Sequence, residues 1–198
     1  LWAHQIKTPI AAMRLLLQDA DTDEQRALLE QVQSVEQYVE MALNYLRVED
    51  ISSDLSFKQY AVDDMVRQVI RKYAKIFISK KIKMNFKPTG RYIVTDDKWF
   101  VFVLEQFISN ALKYTKKGQI SIYMKEKSLV IEDTGIGIPA EDLPRIFEKG
   151  FTGYNGRENK KSTGIGLYLC KNIMDKLQWN ITVDSEVGSG TKIYLTKM

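Results

Sequence analysis

The sequence predicts two parts, an all-α hairpin followed by an α+β two-layer sandwich with a mixed sheet. Three observations predict this fold class. Apolar residues recur at helical spacing over residues 3–18 and 24–49. From residue 55 onward, short segments of alternating apolar residues, typical of strands, are interspersed with helical segments. The stretch between the two parts, residues 49–56, is polar and typical of a linker, so we divide the chain into 1–52 and 53–198.

The first part carries an apolar seam with a heptad-like repeat. Its members are Ile6, Ile10, Met13 and Leu17 in the first helix and Leu28, Val32, Val35, Val39, Ala42 and Leu46 in the second. Thr22 or Asp23 is expected to cap the second helix. The short connection predicts an antiparallel hairpin, which cannot bury its seam alone. We therefore expect two copies to form a four-helix bundle as a dimer. The alternative is that the seam packs against the rest of the same chain.

The second part alternates between strand and helix signals. We predict strands at 55–60, 82–86, 92–95, 119–125, 128–132, 181–185 and 191–196, and helices at 62–78, 97–114 and 165–177. These elements are expected to form one mixed sheet with helices on one face. Residues 134–163 form a long loop rich in glycine, which we expect to act as a mobile lid.

The composition is that of an ordinary globular protein, with 44% hydrophobic and 27% charged residues among 198. The net charge of +4 and the lack of a long basic block argue against nucleic-acid binding. The single cysteine, Cys170, excludes an internal disulfide and a cysteine-rich metal site, and we expect it to be buried. No apolar run approaches the roughly 20 residues that span a bilayer. The chain begins without methionine inside a predicted helix, so we expect it to be part of a longer protein.

Two motifs carry chemistry in the second part. On the predicted helix 97–114, Gln106, Asn110 and Lys113 share a face. An amide oxygen suits Mg²⁺, and a lysine suits phosphate. Asp133 follows a strand and precedes Gly135 and Gly137, so its carboxylate can accept a hydrogen bond from an exocyclic amine while the backbone approaches a flat ring. Taken alone, each motif is weak, because a solvated helix face explains the first and a plain turn is the default explanation of the second.

A third motif, Thr163-Gly-Ile-Gly-Leu167, opens a helix and presents free N–H groups for a phosphate. The basic stretch 157–161 lies just before it, where either a phosphate contact or a solvated loop explains it. Seven of the eleven glycines fall in residues 135–166. No βαβ unit and no P-loop accompany them. It is this ordered set of motifs, together with Gly188-Ser-Gly-Thr191 before the last strand, that points to a nucleotide site.

The C-terminal region resembles the catalytic ATP-binding domain of sensor histidine kinases, within the gyrase, Hsp90 and MutL superfamily. Residues 105–115 resemble the N box, 133–137 the G1 box, 147–151 the F box, 163–167 the G2 box and 188–191 the G3 box. The resemblance implies that Asn110 holds Mg²⁺, Lys113 touches phosphate, Tyr114 flanks the adenine and Asp133 binds the adenine amine. Further ATP contacts implied by the same boxes are Gly135, Gly137, Ile138, Phe151, Thr163, Gly164, Ile165, Gly166, Leu167 and Thr191.

Gln106 departs from the asparagine common at its position, where it would be the second metal contact. ATPases of the superfamily carry a glutamate there to activate water. A glutamine cannot act as that base, which argues against plain ATP hydrolysis. Gln106 thus favours a protein side chain as the phosphoryl acceptor.

His4 is the sole histidine, and the segment His4-Gln-Ile-Lys-Thr-Pro9 resembles the phosphoacceptor H box. The resemblance implies that His4 attacks the γ-phosphate and that Thr8 orients water when such proteins dephosphorylate their partner. Gln5 replaces the usual acidic residue that takes the imidazole proton, so we expect slow autophosphorylation. Pro9 is expected to bend the helix just past His4, because proline removes a backbone hydrogen bond.

The H-box and F-box segments also resemble one subgroup, short-sensor kinases of Gram-positive bacteria that work beside peptide-exporting ABC transporters in bacitracin or lantibiotic response. The resemblance implies a cytoplasmic portion of a cell-membrane protein, a homodimer through residues 1–52, a response-regulator receiver domain as phosphoryl acceptor, and an ABC transporter as a further partner. Two alternatives stay open. One is a conformational ATPase of the same superfamily, and the other is a nucleotide-binding pseudokinase or scaffold.

Overall fold

The structure is a computed structural model, and it describes residues 2–19, 21–48, 55–153 and 163–198. Inside the helices, the side chains of residues 2–4, 26, 30, 37 and 48 lie outside that description. The chain divides into two compact units, Leu1–Ile51 and Ser52–Met198. Each unit is described by itself below.

The first unit is a hairpin of two helices, α1 (Trp2–Leu16) and α2 (Asp23–Val48). Thr22 caps α2, because its hydroxyl accepts from the Gln25 amide at 3.2 Å. The Gln25 side chain in turn accepts from the backbone N–H groups of Asp21 and Thr22 at 3.0 and 3.2 Å. This reciprocal arrangement is a capping box, and it makes Thr22 rather than Asp23 the cap. The predicted antiparallel pairing is confirmed by two ion pairs, because the residue that lies later in α1 contacts the residue that lies earlier in α2.

Those ion pairs join Lys7 to Glu40 and Arg14 to Glu36, each at 3.3 Å. They are largely exposed, so each contributes no more than about 1 kcal/mol and serves mainly to set the register. The helix α1 continues through Pro9.

The hairpin buries only part of its apolar seam. Ile10 and Val32 are buried, at 4% and 6% exposure. In contrast, several large apolar side chains of the hairpin are exposed, namely Met13, Leu15, Leu16, Leu28, Val35, Tyr38 and Leu46. A run of exposed apolar residues of this kind marks an interaction surface.

The second unit is an α+β sandwich, as predicted. Its helices are α3 (Val62–Lys80), α4 (Asp97–Tyr114) and α5 (Gly166–Lys176). Its strands are β1 (Lys58–Ala61), β2 (Lys83–Phe86), β3 (Tyr92–Thr95), β4 (Gln119–Lys125), β5 (Ser128–Asp133), β6 (Trp179–Glu186) and β7 (Gly190–Lys197). Within the described residues, β2, β4, β5, β7 and β6 form a five-stranded sheet in that order, and only β2 and β4 run parallel.

The prediction of a single sheet is wrong in one respect. The strands β1 and β3 pair with each other, antiparallel, and form a separate two-stranded sheet. The chain reverses between β2 and β3 through a loop that contains Pro88 and Gly90, and this loop carries β3 back to β1. A short 3₁₀ turn, Leu143–Arg145, also lies in the long loop where no element was predicted.

The core lies between the larger sheet and its helices. The predicted buried stripe of α4 is confirmed, since Val101, Leu104, Ile108 and Ala111 are all at most 9% exposed. Cys170 on α5 is fully buried, and burial raises the pKa of its thiol well above the usual range, so it is an inert core residue.

Both ends of α4 are tied to neighbouring segments. The Asp96 carboxylate caps its start, accepting from Trp99 N at 3.1 Å, and it also accepts from Ser56 N at 2.9 Å. At the other end, Lys80 Nζ donates to the Leu112 carbonyl at 2.7 Å. A cation at a helix C-terminus is favourable, because the last carbonyl groups lack partners within the helix. These ties hold α4 in place for the site described below.

Among the described helices, none has both the length and the apolar character needed to cross a bilayer.

Asp63 secures the loop between β2 and β3. Its carboxylate accepts from Thr89 N at 2.8 Å, from Thr89 Oγ1 at 2.6 Å and from Gly90 N at 3.2 Å. Burial by itself would raise the pKa of this carboxyl, but the Thr89 and Gly90 donors, with nearby Arg67, hold its pKa below the usual value. The carboxylate therefore stabilises the folded state above its unfolded pKa, and the contribution is lost as the pH falls through the lower folded value.

Substitution of Asp63 by alanine is expected to lower the free energy of unfolding by about 1–3 kcal/mol, because three hydrogen bonds to a charged group are lost. Denaturant unfolding at neutral pH measures this change, and the deficit should shrink in acid. Asp64→Ala is the matched control, since its exposed carboxylate makes only a 3.7 Å pair with Arg67, and about 0.5 kcal/mol or less is expected. Equal effects of the two substitutions would contradict the assigned role of Asp63.

Candidate functional site

Three polar side chains lie side by side across neighbouring strands at one end of the larger sheet. Asp133 on β5 pairs with Thr191 on β7, which pairs in turn with Ser185 on β6. Directly opposite residues of antiparallel strands project from the same face. This face of the sheet is the buried one, because Ile131 and Ile193, which lie two residues from Asp133 and Thr191 on the same strands, are 2% and 9% exposed. We call Asp133, Thr191 and Ser185 the polar row.

The Asp133 side chain is half-buried, and its carboxylate is partly satisfied by backbone groups. Its Oδ1 accepts from the Gly135 N–H at 2.8 Å, and the Thr191 N–H also donates to the carboxylate. Burial raises the pKa of this carboxyl, the two amide donors oppose the shift only in part, and the charge of Glu132 adds to it. A carboxylate can accept about four hydrogen bonds, so Asp133 has capacity left for a donor on a bound molecule.

The backbone around Asp133 is packed too closely for side chains at two glycines. A β-carbon on Gly190 (φ 107°) would overlap the carbonyl oxygen of Asp133, and one on Gly137 (φ 73°) would overlap that of Glu186. The positive φ angles independently favour glycine. A hydrogen bond of 2.8 Å from Gly188 N to the Ile136 carbonyl completes the junction. The loop after β5 is thus held against the turn between β6 and β7.

Thr115, the last residue of the predicted N box, was given no role of its own by the sequence analysis. It is fully buried, and its hydroxyl has no hydrogen-bond partner among the described residues. A β-carbon on Gly135 would lie 2.9 Å from this hydroxyl and 2.8 Å from Asp133 Oδ1, so the hydroxyl lies beside the carboxylate. An unsatisfied buried hydroxyl costs about 1–3 kcal/mol, and a bound molecule that completed its hydrogen bonding would remove that cost. The available signal was its place at the end of the predicted N box, directly after α4.

The predicted N-box residues lie at the C-terminal half of α4. Gln106, Asn110, Lys113 and Tyr114 are all half-buried. The Tyr114 carbonyl accepts from Ile136 N at 3.2 Å, which joins the end of α4 to the loop after Asp133. The Lys113 ammonium lies 5.2 Å from the centre of the Tyr114 ring. The structure therefore brings the N-box end and the G1 loop together, whereas their individual roles stay predictions.

The G2 segment begins α5. Gly164 has φ 67°, and its carbonyl accepts from Gly150 N at 3.0 Å, so the described ends of the long loop are joined. The Ile165 N–H donates to Thr163 Oγ1 at 3.3 Å, and no side chain caps the start of α5 among the described residues. The remaining predicted contacts at this end, Gly166 and Leu167, are half-buried.

Phe151 lies in the same region, with the Arg145 guanidinium 4.6 Å from its ring centre. The basic stretch 157–161 and the part 154–162 of the predicted lid 134–163 lie outside the described residues.

The predicted phosphoacceptor residues belong to the first unit. His4, Gln5 and Thr8 lie on α1, and His4 and Thr8 are one turn apart. Gln5 and Thr8 are exposed, whereas the His4 side chain lies outside the described residues.

The donor set fits Mg²⁺ bound together with phosphates. The described residues contain no group of three or more His, Cys, Asp or Glu side chains that could hold a metal ion. What α4 offers is the neutral amide oxygens of Asn110 and Gln106. Mg²⁺ is commonly held by few protein oxygens, with waters and substrate phosphates as its other ligands.

Several curated proteins are similar to this chain over nearly its whole length. The sensor histidine kinase YxdK of Bacillus subtilis (strain 168) is 34% identical, with 100% of this chain and 64% of that protein covered. The sensor protein BceS of the same strain is 33% identical, with 98% and 60% covered. The sensor protein kinase GraS of Staphylococcus aureus (strain JH1) is 36% identical, with 98% and 58% covered. The chain thus spans about three fifths of the length of these relatives.

Solved structures share the fold. ShkA, in a full-length complex with AMPPNP, has a TM-score of 0.72 at 22% identity and covers 98% of this chain and 44% of its own. The histidine kinase AdeS of Acinetobacter baumannii has a TM-score of 0.68 at 23% identity and covers 98% of both chains. A helical region followed by an α+β domain is therefore confirmed as the architecture.

Residues 95–197 match the family described as histidine kinase-, DNA gyrase B-, and HSP90-like ATPase. The matched segment runs from the last residue of β3 to that of β7, and it contains the polar row, Thr115 and the predicted N box. It covers more than half of the chain, and the chain therefore belongs to the family of histidine kinase-, DNA gyrase B- and HSP90-like ATPases.

Proposed function

We propose that this chain is the core of a two-component sensor histidine kinase, which phosphorylates His4 from ATP and passes the phosphoryl group to an aspartate of a response regulator. The observation that carries the proposal is the half-buried Asp133 carboxylate. It lies beside the buried Thr115 hydroxyl, at the end of the helix that carries Asn110, and this hydroxyl has no hydrogen-bond partner among the described residues. The names of YxdK and GraS, and the AMPPNP in the ShkA complex, support it.

In this proposal the polar row and the loop after β5 bind the adenine. Asp133 accepts a hydrogen bond from the exocyclic amine, and Gly135 and Gly137 let the backbone approach the ring. Tyr114 flanks the base. The remaining contacts follow the order of the motifs, with Ile138 and Thr191 near the base, and Phe151, Thr163, Gly164, Ile165, Gly166 and Leu167 toward the phosphates. The uncapped N–H groups at the start of α5 suit a phosphate.

Asn110, with Gln106 one turn before it, would hold Mg²⁺ through amide oxygens, and the bound cation would neutralise charge on the phosphate oxygens. Lys113 adds a fixed positive charge to the same end of α4. Because Gln106 cannot deprotonate water, hydrolysis is disfavoured relative to transfer to a side chain.

His4 is the proposed acceptor. A neutral imidazole is a competent nucleophile, and the unperturbed pKa of histidine, about 6.5, leaves it mostly neutral at pH 7. Gln5 can orient the imidazole N–H but cannot hold its proton. Thr8, one turn further along α1, would orient water when the same protein dephosphorylates its regulator.

The exposed apolar residues of the hairpin support dimerisation through residues 1–52. Leu28, Val35 and Leu46 are 53%, 46% and 63% exposed, and all three belong to the predicted seam. A second hairpin would cover them in a four-helix bundle. We further propose that the chain is the cytoplasmic part of a membrane sensor that works with an ABC transporter, as the resemblance to the bacitracin-response subgroup implies.

Incubation with γ-labelled ATP and Mg²⁺ tests the proposed function. The wild-type chain should acquire label that is stable in base and lost in acid, and His4→Gln should acquire none while still binding ATP. Undiminished phosphate release by His4→Gln would favour a conformational ATPase. ATP binding with no label on the wild type would favour a nucleotide-binding scaffold. Either result would contradict the kinase assignment.

Substitution of Asp133 by asparagine should weaken ATP binding by about ten- to a hundredfold, since a hydrogen bond to a charged group is lost. The same change should raise the melting temperature at neutral pH, because it removes a carboxylate that burial penalises. Because the pKa of Asp133 is raised in the folded state, the wild-type chain gains stability as the pH falls through that folded-state pKa. The difference in melting temperature between Asp133→Asn and the wild type should therefore narrow in acid.

Titration with a fluorescent ATP analogue and thermal unfolding at two pH values measure both effects of Asp133→Asn. Asp184→Asn, an exposed position on β6, is the matched control and should change neither quantity. A lower melting temperature for Asp133→Asn at neutral pH would contradict the assigned cost of burial.

Replacement of Gln5 by glutamate should speed autophosphorylation by roughly tenfold or more, because a carboxylate can take the imidazole proton. The initial rate of acid-labile phosphate uptake measures this. Gln18→Glu, which adds the same charge just beyond the far end of α1, should leave the rate unchanged. An unchanged rate for Gln5→Glu would remove Gln5 as the cause of slow transfer.

A further inference from the structure

The hydroxyl of Ser185, at the end of the polar row, lies at the centre of three hydrogen bonds. It accepts from the Ile138 N–H at 2.9 Å and donates to the Gly190 carbonyl at 2.8 Å. It also lies 2.9 Å from the hydroxyl oxygen of Thr191. The motifs in the sequence did not single out Ser185.

The directions of these three bonds follow from the inventory of one hydroxyl group, which has one proton and two lone pairs. The Gly190 carbonyl can only accept, so the Ser185 proton is directed to it. The Ile138 amide can only donate, so it occupies one lone pair of Ser185. The remaining contact then requires the Thr191 hydroxyl to donate its own proton into the second lone pair. Ser185 is fully satisfied, and the Thr191 proton is fixed.

This fixed proton determines what the polar row offers to a bound molecule. The Thr191 oxygen keeps only lone pairs for further bonds. Asp133, directly opposite on β5, is likewise an acceptor. The backbone donors beside it, Gly135 N–H and Thr191 N–H, already point at its carboxylate. The row therefore favours a ligand that brings a donor, and it disfavours one that brings a carbonyl oxygen to the same place.

We propose that Ser185 is a specificity-determining positioning residue, which orients the Thr191 hydroxyl as an acceptor and so favours nucleotides with an amine at position 6 of the purine over those with a 6-oxo group. This inference rests on the proposed ATP-binding function and extends it to a residue that acts on the ligand only through Thr191. Ser185 also attaches the loop after β5 to the β6–β7 turn, through Ile138 and Gly190.

The two roles predict different results. A residue that only attached the loop would, when removed, weaken every purine nucleotide alike. A residue that orients the Thr191 proton would change the ratio between nucleotides, since a released Thr191 hydroxyl can turn and donate to a 6-oxo group. The ratio of dissociation constants for inosine triphosphate and ATP is therefore the decisive quantity.

Competition against a fluorescent ATP analogue gives these constants for the wild-type chain and for Ser185→Ala. The inosine triphosphate to ATP ratio should fall by about two- to tenfold in Ser185→Ala, the range that one net hydrogen bond provides. Ser128→Ala is the matched control. The Ser128 hydroxyl also pairs with a threonine hydroxyl of β7, that of Thr196 at 2.7 Å, but Ser128 lies at the opposite end of β5 from Asp133, so the ratio should stay at the wild-type value.

Thr191→Val provides an independent arm that does not depend on the folding of Ser185→Ala. It removes the acceptor itself, so the ratio should fall here as well, and the double variant should show no further fall because Ser185 acts through Thr191. If the wild type prefers ATP and both single variants keep the wild-type ratio of inosine triphosphate to ATP dissociation constants, this inference is overturned and the proposed function is not. Failure of the wild type to bind any of the nucleotides would instead overturn the proposed function.

Discussion

The close approach of two backbone segments at the end of the larger sheet is the constraint on which the site depends. The Asp133 carbonyl lies against Gly190, and the Glu186 carbonyl lies against Gly137, at distances that leave no room for a β-carbon. Glycine is therefore required at both positions for steric reasons, independently of any contact with a ligand. Because of this junction, the Asp133 carboxylate at the end of β5, the Thr191 hydroxyl at the start of β7 and the loop after β5 lie close together.

The polar groups at this junction are arranged at a cost to stability. Burial raises the pKa of Asp133 in spite of two amide donors, and the Thr115 hydroxyl has no hydrogen-bond partner within the part of the chain that the structure describes. Two other buried groups of the same unit, Thr95 Oγ1 and Trp179 Nε1, also lack a hydrogen-bond partner among the described residues, whereas the Asp63 carboxylate accepts three hydrogen bonds. Unfavourable local energetics that the surrounding fold sustains are characteristic of binding sites, where a ligand supplies the missing partners.

The two units solve the problem of apolar burial differently. The sandwich fills its own core, and residues such as Phe100, Leu104 and Ile108 are at most 1% exposed. The hairpin leaves Leu15, Leu16 and several seam residues in contact with solvent. An isolated pair of helices has too little surface to bury its own seam, which is why a second hairpin is the natural complement in the proposed dimer.

Sequence alone determined most of the elements and the identity of the family. Periodicity predicted the long helices within a few residues of their observed ends, because α4 and the hairpin helices have strong apolar repeats. The glycine spacing identified the G1 and G3 segments, because those positions have no alternative residue. The periodic pattern could not predict the pairing of β1 with β3, because strands of four residues carry no information about their partners. The loop between β2 and β3, which Asp63 secures, decides this pairing.

Only the tertiary structure placed Thr115 beside Asp133 and directed the Thr191 proton toward Ser185. Hydrogen-bond direction depends on which groups converge on one hydroxyl, and the groups that converge on Ser185 come from positions as far apart in sequence as Ile138 and Thr191. The sequence by itself determined that a carboxylate, an amide and a set of glycines are present in the right order. The fold decided which of their neighbours complete the site, because distance in space, and not spacing along the chain, selects the partners of a buried polar group.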